Sequence, residues 1–484
     1  MGSEGPQLHV FFLPFVGQGH MLPMMDTAKL FAAQGVRVTL ILTPLAASVL
    51  GKSIDGARAS GYSMDLHLME YPPEADLPGG DENPDKIKSP ESKARFFRAL
   101  RTLERPFEKL VEEHRPDVLV SDVFFPWSVD VAAKFGIPRL SFSGSSFFAL
   151  SVIDALRRHS PHTKVERDDE AFLVPGLPDQ IELTRSAIPG PLKTQTNVVA
   201  DLWARIHLAE KKSYGEVMNS FYELELNYVE HVRRKIRKKA WHVGPVFLWN
   251  RDDSSENIDH KSPSDDGADD CLTWLDTQKP DSVLYMCFGS LCKLTPPQLR
   301  ETAAALESSG CAFVWVLKQG EELPEGFEER TEGRGFVIRG WAPQIRILGH
   351  RGVGGFVTHC GWNSILEGVT AGKPMITWPV FAEQFFNEKL ITKALGIGVG
   401  VGVGTCSSLD DPNNRPVIKK EAIERAVRSL MSSETEEAKR MRAKAREFAE
   451  MGKRAVQKGG SSYTDLVRLI EEMKMLSIQK RSTK

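Results

Sequence analysis

The fold of this chain is decided by residues 341–384, which read WAPQIRILGHRGVGGFVTHCGWNSILEGVTAGKPMITWPVFAEQ. Hydrophobic spacing predicts a short buried strand over 355–358, a helix over 361–370 and a second apolar strand over 374–378. A strand, a helix and a strand in this order form one unit of a parallel sheet. Ligands of such units bind beyond the carboxyl ends of the strands, where the first amides of the helix favour a phosphate.

Polar side chains cluster where the first of these strands meets the helix. His359 can place its imidazole on the outer phosphate of a nucleotide diphosphate. Asn363 and Ser364 add side-chain donors beside the amides of the first helical turn, and Gly361 and Trp362 complete the junction. The junction therefore predicts a phosphate site.

The residues around this junction suit the other parts of a nucleotide sugar. Glu367 lies one helical turn further along the same face, where a carboxylate can accept from both hydroxyls of a ribose. Trp341 offers a flat face for a base, and the backbone of Ala342 can contact the edge of that base. Glu383 and Gln384 follow the second strand and bring acceptors and donors suited to sugar hydroxyls.

Each of these residues has a simpler interpretation when it is taken alone. HCGWNS can be an ordinary turn from a strand to a helix, Trp341 and Trp362 can be core aromatics, and Glu367 can be a solvated helix residue. An ordered set of about ten chemically meaningful positions is much harder to meet by chance than one short motif.

The stretch resembles the signature box of plant secondary-metabolite UDP-glycosyltransferases, with WAPQ at its start, HCGWNS in the middle and EQ at its end. This resemblance implies the α/β fold called GT-B, in which two Rossmann-like domains face each other across a cleft. The second domain would bind the sugar donor and the first the acceptor. The donor-binding residues implied are Ser290, Trp341, Ala342, Gln344, His359, Gly361, Trp362, Asn363, Ser364, Glu367, Glu383 and Gln384.

Length and composition limit the domain organisation and the partners. A chain of 484 residues exceeds one ordinary core, so two or three domains are expected. Lys and Arg number 62 against 64 Asp and Glu, a balance without the footprint of nucleic-acid binding. The predicted segments are an N-terminal acceptor-binding domain (1–249), an acidic linker (250–270), a C-terminal UDP-sugar-binding domain (271–460) and a helix that returns to the N-terminal domain (461–484).

The sequence carries no signal for a membrane or a secretory route. It has no apolar run of about 18 residues, no basic region followed by an apolar one at the N-terminus, and no N-x-[ST] sequon. Six cysteines form no CxxC pair, which favours free thiols in a reducing compartment. We therefore expect a cytoplasmic protein without membrane insertion. We also expect it to be a monomer.

The N-terminal part of the chain predicts another strand-helix-strand unit. A buried strand over 8–15 leads through a short loop to a helix, and the next strand covers 36–42. His20 lies at the carboxyl end of the first strand, and Asp122 ends a strand predicted over 117–121. Because the carboxyl ends of parallel strands share one edge of the sheet, the two side chains are expected to meet.

Asp122 has two interpretations from the residues alone: a carboxylate that faces His20, or the N-cap of a helix predicted over 124–135. The resemblance favours the first, since it implies a general-base histidine paired with an aspartate, here His20 and Asp122. It also implies an acceptor pocket in the first domain, although buried core aromatics are the ordinary alternative. The residues expected to line that pocket are Phe15, Gly19, Phe124, Phe125 and Phe147.

Further elements are predicted between and after these motifs. Helices are expected over 93–113, 195–218, 417–458 and 461–475, and strands over 241–246, 283–288, 312–317 and 336–339. Thr295 and Gln298 are predicted to form a capping box. The basic run RRKIRKK at 233–239 is predicted to be a solvated helix end, and GIGVGVGVG at 396–404 a strand packed close to another backbone.

The resemblance implies an inverting UDP-glucose-dependent O-glucosyltransferase that makes β-glucosides of flavonoids, other phenolics, or triterpenoid or steroidal aglycones. No metal or other cofactor is expected beside the co-substrate UDP-glucose, because amides and side chains of the box stabilise the leaving UDP. In this family a closing Gln, here Gln384, is associated with glucose transfer and a closing His with galactose transfer.

Two other functions stay open from the sequence. A Rossmann oxidoreductase needs a full dinucleotide fingerprint followed by an acidic residue, and the GQG loop at 17–19 has neither. A nucleotide-sugar-binding protein without catalysis would have no reason to keep both His20 and Asp122.

Overall fold

The computed structural model of the protein describes residues 7–77, 82–84, 87, 89–193, 198–249, 266–407, 415–432 and 434–482. Internal contacts divide the chain into two units. The first unit holds Met1–Phe147, Thr194–Trp249 and Arg454–Lys484, and the second holds Phe148–Lys193 and Asn250–Lys453. Phe148–Lys193 thus groups with the second unit, whereas the predicted domain boundary at 249 assigned it to the first.

The strands are short and mostly apolar, as expected for parallel strands that are covered on both faces. β4, for example, reads VLVSD and is buried along its whole length. In chain order the strands are β1 (His9–Leu13), β2 (Arg37–Leu42), β3 (Met64–Leu68), β4 (Val118–Asp122), β5 (Arg139–Phe142), β6 (Ala171–Leu173), β7 (Glu182–Thr184), β8 (Gly215–Met218), β9 (Ala240–His242), β10 (Val283–Cys287), β11 (Ala312–Leu317), β12 (Gly335–Arg339), β13 (Val353–Thr358), β14 (Met375–Thr377) and β15 (Gly398–Gly400).

The helices cover the sheets with apolar stripes. The helix Lys420–Met431, for example, buries Ile423, Ala426, Val427 and Leu430, which recur at helical spacing. In chain order the helices are α1 (Gln18–Ala33), α2 (Pro44–Ala59), α3 (Pro90–Thr102), α4 (Glu104–His114), α5 (Ser128–Lys134), α6 (Phe147–His159), α7 (Gly190–Lys193), α8 (Val198–Lys212), α9 (Leu226–His231), α10 (Asp266–Asp276), α11 (Pro296–Ser309), α12 (Phe327–Arg330), α13 (Gln344–Gly349), α14 (Trp362–Thr370), α15 (Gln384–Lys389), α16 (Lys420–Met431), α17 (Glu436–Ala455) and α18 (Ser461–Ser482).

The first unit is built on a parallel seven-stranded sheet with the order β3-β2-β1-β4-β5-β8-β9. β1 pairs with β2 on one side and with β4 on the other, so that Val10 lies opposite both Val38 and Val118. The strand order therefore reverses between β1 and β4. Such a switch point opens a crevice beyond the carboxyl ends of the two strands, because the following helices leave to opposite faces.

The second unit repeats this plan. Its six-stranded parallel sheet has the order β12-β11-β10-β13-β14-β15, and β10 pairs with both β11 and β13. The switch point of this sheet consequently lies between β10 and β13. The unit also holds the antiparallel pair β6-β7. Two Rossmann-like α/β sheets were predicted, and the strand orders confirm them.

The C-terminal helix α18 packs in the first unit. Its side chains Leu466, Leu469, Ile470 and Met473 are buried in the core of that unit. Asp465 on the same helix accepts a hydrogen bond of 2.5 Å from Nη2 of Arg233 and one of 3.2 Å from the backbone N–H of His242. These contacts attach the end of the chain to the edge strand β9.

The basic run at 233–239 is not simply a solvated helix end, as the sequence predicted. Lys238 lies 2.5 Å from the buried carboxylate of Glu216, and Lys239 donates at 2.6 Å to Glu472 of α18. Lys238 and Lys239 therefore connect the run to β8 and α18, while Arg234, Lys235 and Arg237 are exposed, as predicted.

Two local predictions were wrong because tertiary contacts decide them. The helix predicted over 195–218 ends at Lys212, and Gly215–Met218 forms the buried strand β8 between β5 and β9. Thr295 precedes α11 without a side-chain capping bond, and Gln298 instead exchanges two hydrogen bonds with the backbone of Ile418.

Other predicted segments differ mainly in their bounds. The helix predicted over 93–113 is interrupted at Leu103 and forms α3 and α4. Of the predicted linker, residues 250–265 lie outside the described part of the chain and 266–270 begin α10. The glycine-rich strand is limited to β15, where a Cβ on Gly398 would lie 2.5 Å from the carbonyl oxygen of Met375. This close approach of two backbones confirms the predicted packing.

No helix within the described residues combines the length and the apolar character that crossing a membrane requires.

We predict that Asp465→Ala lowers the free energy of unfolding by about 2 kcal/mol, because the change removes the carboxylate that pairs with Arg233 and leaves the buried N–H of His242 without its acceptor. Equilibrium urea unfolding measures the loss. Asp201→Ala is the control, since Asp201 also forms an ion pair, with Arg205 on α8. The side chain of Asp201 is 62% exposed, whereas that of Asp465 is 7% exposed. Asp201→Ala should cost less than about 1 kcal/mol. Equal losses in the two variants would contradict the anchoring role of Asp465.

Candidate active site

His20 and Asp122 meet at the switch point of the first sheet. His20 lies in the first turn of α1, directly beyond β1, and Asp122 is the last residue of the neighbouring strand β4. Nδ1 of His20 lies 2.8 Å from Oδ2 of Asp122. The side chain of His20 is 25% exposed and that of Asp122 is fully buried. A carboxylate only accepts, so Nδ1 carries the hydrogen and Nε2 of a neutral His20 keeps its lone pair.

The second oxygen of Asp122 forms a local turn. Oδ1 accepts from the backbone N–H of Phe124 at 3.0 Å, but α5 begins only at Ser128, with Trp127 in the N-cap position. The alternative in which Asp122 caps a helix over 124–135 is therefore wrong. The carboxylate binds His20 and orders the start of the following loop at the same time.

A buried arginine that was not singled out from the sequence supports the end of β4. Arg139 donates through Nε to Oγ of Ser121 at 2.8 Å and through Nη2 to the carbonyl oxygen of Asp122 at 3.3 Å. Burial lowers the pKa of its guanidinium to about 10, which still leaves Arg139 charged at neutral pH. The backbone of Asp122 is thus fixed by hydrogen bonds and not by packing alone.

Aromatic rings surround the imidazole of His20. The centroids of Phe15 and Phe124 lie 5.6 and 5.3 Å from it, and the two phenyl rings are 4.5 Å apart. Phe97 on α3 and Trp203 on α8 extend this wall, at 5.9 and 6.4 Å from Phe124. Neither was identified from the sequence, because both come from distant helices. Phe97, Phe124 and Trp203 are only half-buried, so the wall offers an apolar face beside the imidazole.

The other residues predicted for the acceptor pocket differ in their accessibility. Phe125 is 2% exposed and packs on Trp127, and Phe147 is fully buried. Both rings are therefore core aromatics, which was the ordinary alternative. Gly19 lies beside His20 in α1, where an added Cβ would meet no atom within 4 Å.

The predicted donor residues all follow strands of the second sheet at their carboxyl ends. Ser290 follows β10 and is exposed, Trp341 follows β12 with 46% of its surface exposed, and HCGWNS joins β13 to α14. Glu383 and Gln384 follow β14. Trp362 is only 2% exposed, so its indole belongs to the core.

The turn from β13 to α14 holds an unusual backbone. Cys360 has a φ of +66°, which is rare for a residue with a side chain. Asn387 donates a hydrogen bond to the carbonyl oxygen of Cys360 at 3.0 Å, and the N–H of Cys360 donates to Oγ1 of Thr358 at 3.2 Å. Strained residues held by their surroundings in this way cluster at functional sites. Asn387, which the sequence did not single out, is thus part of the support of this turn.

His359 lies between two glycines. A Cβ on Gly289 would lie 2.5 Å from Cε1 of its ring, and a Cβ on Gly361 would lie 2.5 Å from Nε2. Burial and the nearby charge of Lys318 lower the pKa of His359 to about 4, so the imidazole is neutral at neutral pH. Its Nδ1 is buried, and the described protein atoms supply no hydrogen-bond partner for it. A neutral imidazole can donate one hydrogen bond to a phosphate oxygen but brings no charge.

Gln344 binds two side chains of α14, those of Ser364 and Glu367. Its Nε2 donates to Oε2 of Glu367 at 2.5 Å and to Oγ of Ser364 at 3.2 Å. Its Oε1 accepts at 3.2 Å from the hydroxyl of the buried Tyr285 on β10. Gln344 was predicted to bind the donor, and in this structure it orients Ser364 and Glu367, while Tyr285 orients Gln344.

The geometry corrects the chemistry that the sequence assigned to Gln384. Its Oε1 accepts from the backbone N–H groups of Val380 and Phe381 at 2.9 and 3.0 Å, and the side chain is 3% exposed. Both partners are donors, which fixes the orientation of the amide. The prediction that Gln384 both donates to and accepts from a sugar is therefore wrong, since only its amide hydrogens are left for a ligand.

A family model described as "UDP-glucoronosyl and UDP-glucosyl transferase" matches residues 193–433. Scopoletin glucosyltransferase of Nicotiana tabacum is 46% identical over 97% of this chain and 99% of its own length. The chain belongs to the UDP-glycosyltransferase family.

Solved structures extend this relation to the whole fold of the glycosyltransferase. A Glycyrrhiza uralensis family member, crystallised with glycyrrhetinic acid 3-O-monoglucuronide, matches it with a TM-score of 0.90 and 41% identity, over 99% of this chain and 98% of the other. A Medicago truncatula family member complexed with UDP-glucose matches with a TM-score of 0.79 and 27% identity, over 96% and 98%. Among the described residues of the glycosyltransferase, no group of three or more His, Cys, Asp or Glu side chains could hold a metal ion.

We predict that Gly289→Ala weakens binding of UDP to the glycosyltransferase by roughly 5- to 150-fold, because about 1–3 kcal/mol of overpacking displaces His359. Calorimetric titration with UDP gives the affinity.

Gly310→Ala is the matched control for this change. Both glycines have a φ of +68°, so backbone strain is shared, but a Cβ on Gly310 would meet no atom within 4 Å. Gly310→Ala should keep UDP affinity within about twofold. An equal loss in both variants would mean that backbone strain, and not the position of His359, governs binding.

Proposed function

We propose that this glycosyltransferase transfers glucose from UDP-glucose to a hydroxyl of a small, flat, hydrophobic acceptor, giving a β-glucoside with inversion at the anomeric carbon. The observation that carries the proposal is the hydrogen bond between His20 and Asp122 beside a wall of aromatic rings. Support comes from the relatives, which are named for glucosyl transfer to scopoletin and to the 3′-oxygen of anthocyanin.

The chemistry starts from the lone pair on Nε2 of His20. A phenol or alcohol is a weak nucleophile until a base removes its proton, and a neutral imidazole does this near neutral pH. As the acceptor oxygen bonds to the anomeric carbon, its proton passes to Nε2. The bond from that carbon to the phosphate oxygen breaks, and UDP leaves with the electron pair. Asp122 stabilises the imidazolium that forms, as the carboxylate of a catalytic triad does.

The leaving group develops its negative charge on the diphosphate. The first amides of α14, together with Ser290 and the neutral imidazole of His359, donate hydrogen bonds to it in this proposal. Trp341 stacks on the base, and Glu367 accepts from the ribose hydroxyls. Because these groups take up the charge, the reaction does not depend on a metal ion.

The acceptor class follows from the rings around His20. Phe124 with Phe97 and Trp203 presents apolar ring faces that stack best on a flat aromatic molecule. We therefore favour phenolic and flavonoid acceptors over triterpenoids and steroids, whose fused saturated rings cannot stack in this way.

The function is tested by incubating the enzyme with UDP-glucose, an excess of chelator and a panel of phenolic, flavonoid, triterpenoid and steroidal acceptors. UDP release and product mass are recorded. Phenolic glucosides formed equally well with and without chelator are expected. If UDP is not released with any acceptor, the protein binds a nucleotide sugar without catalysis. If chelator abolishes the activity and magnesium or manganese restores it, metal independence is contradicted.

We predict that His20→Ala lowers kcat at least about a hundredfold, since no other base replaces Nε2, while UDP affinity is nearly unchanged. Asp122→Asn should also lower kcat, because an amide can donate to Nδ1 and select the wrong tautomer. Steady-state kinetics and UDP titration separate the two effects.

His114→Ala is the control for the base, since its side chain is 26% exposed, against 25% for His20. It should retain near wild-type kcat. Wild-type turnover in His20→Ala would exclude this residue as the base, and a wild-type rate in Asp122→Asn would restrict Asp122 to its bond with Phe124.

We predict that the enzyme prefers UDP-glucose to UDP-galactose, because each misplaced hydroxyl leaves a polar group poorly paired at roughly 1–3 kcal/mol, or about 5- to 150-fold. UDP-glucuronic acid should be disfavoured further by its charge near Glu383. Competition between the donors measures the preference.

Two variants of Gln384 isolate its role in this choice. Gln384→Glu keeps an acceptor for Val380 and Phe381 but removes the amide hydrogens, so glucose transfer should fall at least about fivefold with UDP affinity nearly unchanged. Gln384→Ala removes the loop bonds as well and should lower transfer further. Equal use of glucose and galactose by the wild type, or an unaltered rate in Gln384→Glu, would contradict this assignment.

A further inference from the structure

Lys318 lies one strand away from the switch point of the second sheet and belongs to none of the motifs identified from the sequence. It directly follows β11, the neighbour of β10 on the side away from β13. Its Nζ donates a hydrogen bond to the backbone carbonyl oxygen of Ser290, the residue that follows Gly289 at the end of β10. The ammonium group therefore sits on the turn whose glycine packs against the ring of His359.

Glu321 holds the two loops of this region together. Its Oε2 accepts from the backbone N–H of Lys318 at 2.7 Å, and its Oε1 accepts from that of Leu294 at 2.6 Å. One carboxylate thus joins the loop after β11 to the loop after β10, and backbone donors occupy both of its oxygens. Lys318 is presented to Ser290 from a fixed backbone rather than from a free loop end.

The charge balance of the donor site makes this position important. The diphosphate of a UDP-sugar carries negative charge, and more develops as the glycosidic bond breaks. Burial and the charge of Lys318 lower the pKa of His359 to about 4, which favours a neutral imidazole, and the amides of α14 contribute only partial charges. The charge of Lys318 acts on His359 strongly enough to help lower the pKa of that imidazole, which places the two groups in one electrostatic environment.

We propose that Lys318 is a further diphosphate-binding residue, whose ammonium group fixes the Ser290 turn and supplies the positive charge that meets the phosphates. The proposal rests on the proposed function of the second unit as the UDP-sugar site. It assigns charge neutralisation to Lys318 and leaves to His359 a single neutral hydrogen bond. A full charge reaching a phosphate also explains how the site can favour the leaving UDP without a metal.

The test compares UDP with uridine, which lacks the phosphates. Calorimetry gives the Kd of UDP for the full chain, and the same titration in the presence of uridine gives the Kd of uridine. Lys318→Met removes the charge at similar length and should weaken UDP at least about tenfold, while uridine changes less than about twofold. Lys318→Arg keeps the charge and should restore most of the UDP affinity. The UDP affinity of the wild type should fall more steeply with added salt than that of Lys318→Met.

Lys293→Met is the matched control, since Nζ of Lys293 also donates to a backbone carbonyl oxygen, that of Gln319, across the same pair of loops. Its side chain is exposed, so its loss should leave both affinities unchanged. The proposal is overturned if Lys318→Met leaves UDP affinity intact, or if UDP and uridine weaken equally, which would mean that Lys318 only supports the turn. A wild-type chain that does not bind UDP would refute the proposed function itself, whereas UDP binding without glucosyl transfer would leave the role of Lys318 standing.

Discussion

The hydrogen bond between His20 and Asp122 depends on one constraint, the parallel pairing of β1 with β4. Residues at the carboxyl ends of these two strands are distant in sequence, and the reversal of strand order between them brings their side chains to 2.8 Å. Burial of Asp122 and the support of its backbone by Arg139 keep the acceptor in place, so His20 has one defined tautomer. The chemistry of the first unit follows from that tautomer.

The second unit applies the same constraint to an anion. Its switch point brings together the ends of β10 and β13, and glycines at 289 and 361 let the backbone close around His359. The enclosed imidazole loses its charge, because burial disfavours the protonated form. Negative charge must then be met by helix amides and by a cation, which makes the position of Lys318 beside the Ser290 turn significant.

Local sequence patterns predicted much of this arrangement. The strand-helix-strand units around His20 and around HCGWNS were recognised because buried parallel strands and the helix starts after them leave periodic signals within a short window. Trp341 and Ser290 are exposed at the ends of their strands, as a site there requires.

Features set by contacts distant in sequence could not be predicted in this way. β8 is a strand because β5 and β9 flank it. Gln298 forms hydrogen bonds with the backbone of Ile418 and does not cap α11. Oε1 of Gln384 accepts from two backbone N–H groups. Phe97 and Trp203 reach the wall beside His20 from separate helices. Residue type indicated which groups are able to react, while the tertiary structure decided which of their atoms are available.

The proposed chemistry requires Asp122 to hold His20 with Nδ1 protonated, so that the lone pair of Nε2 acts as the base. The most direct test is the tautomer of this ring, observed by two-bond ¹⁵N–¹H correlation on protein labelled at its 12 histidines, with His20 assigned from a variant that lacks it. We expect neutral His20 to carry its hydrogen on Nδ1 in the wild type. A hydrogen on Nε2 would contradict it, because that nitrogen could not then accept the proton of an acceptor hydroxyl.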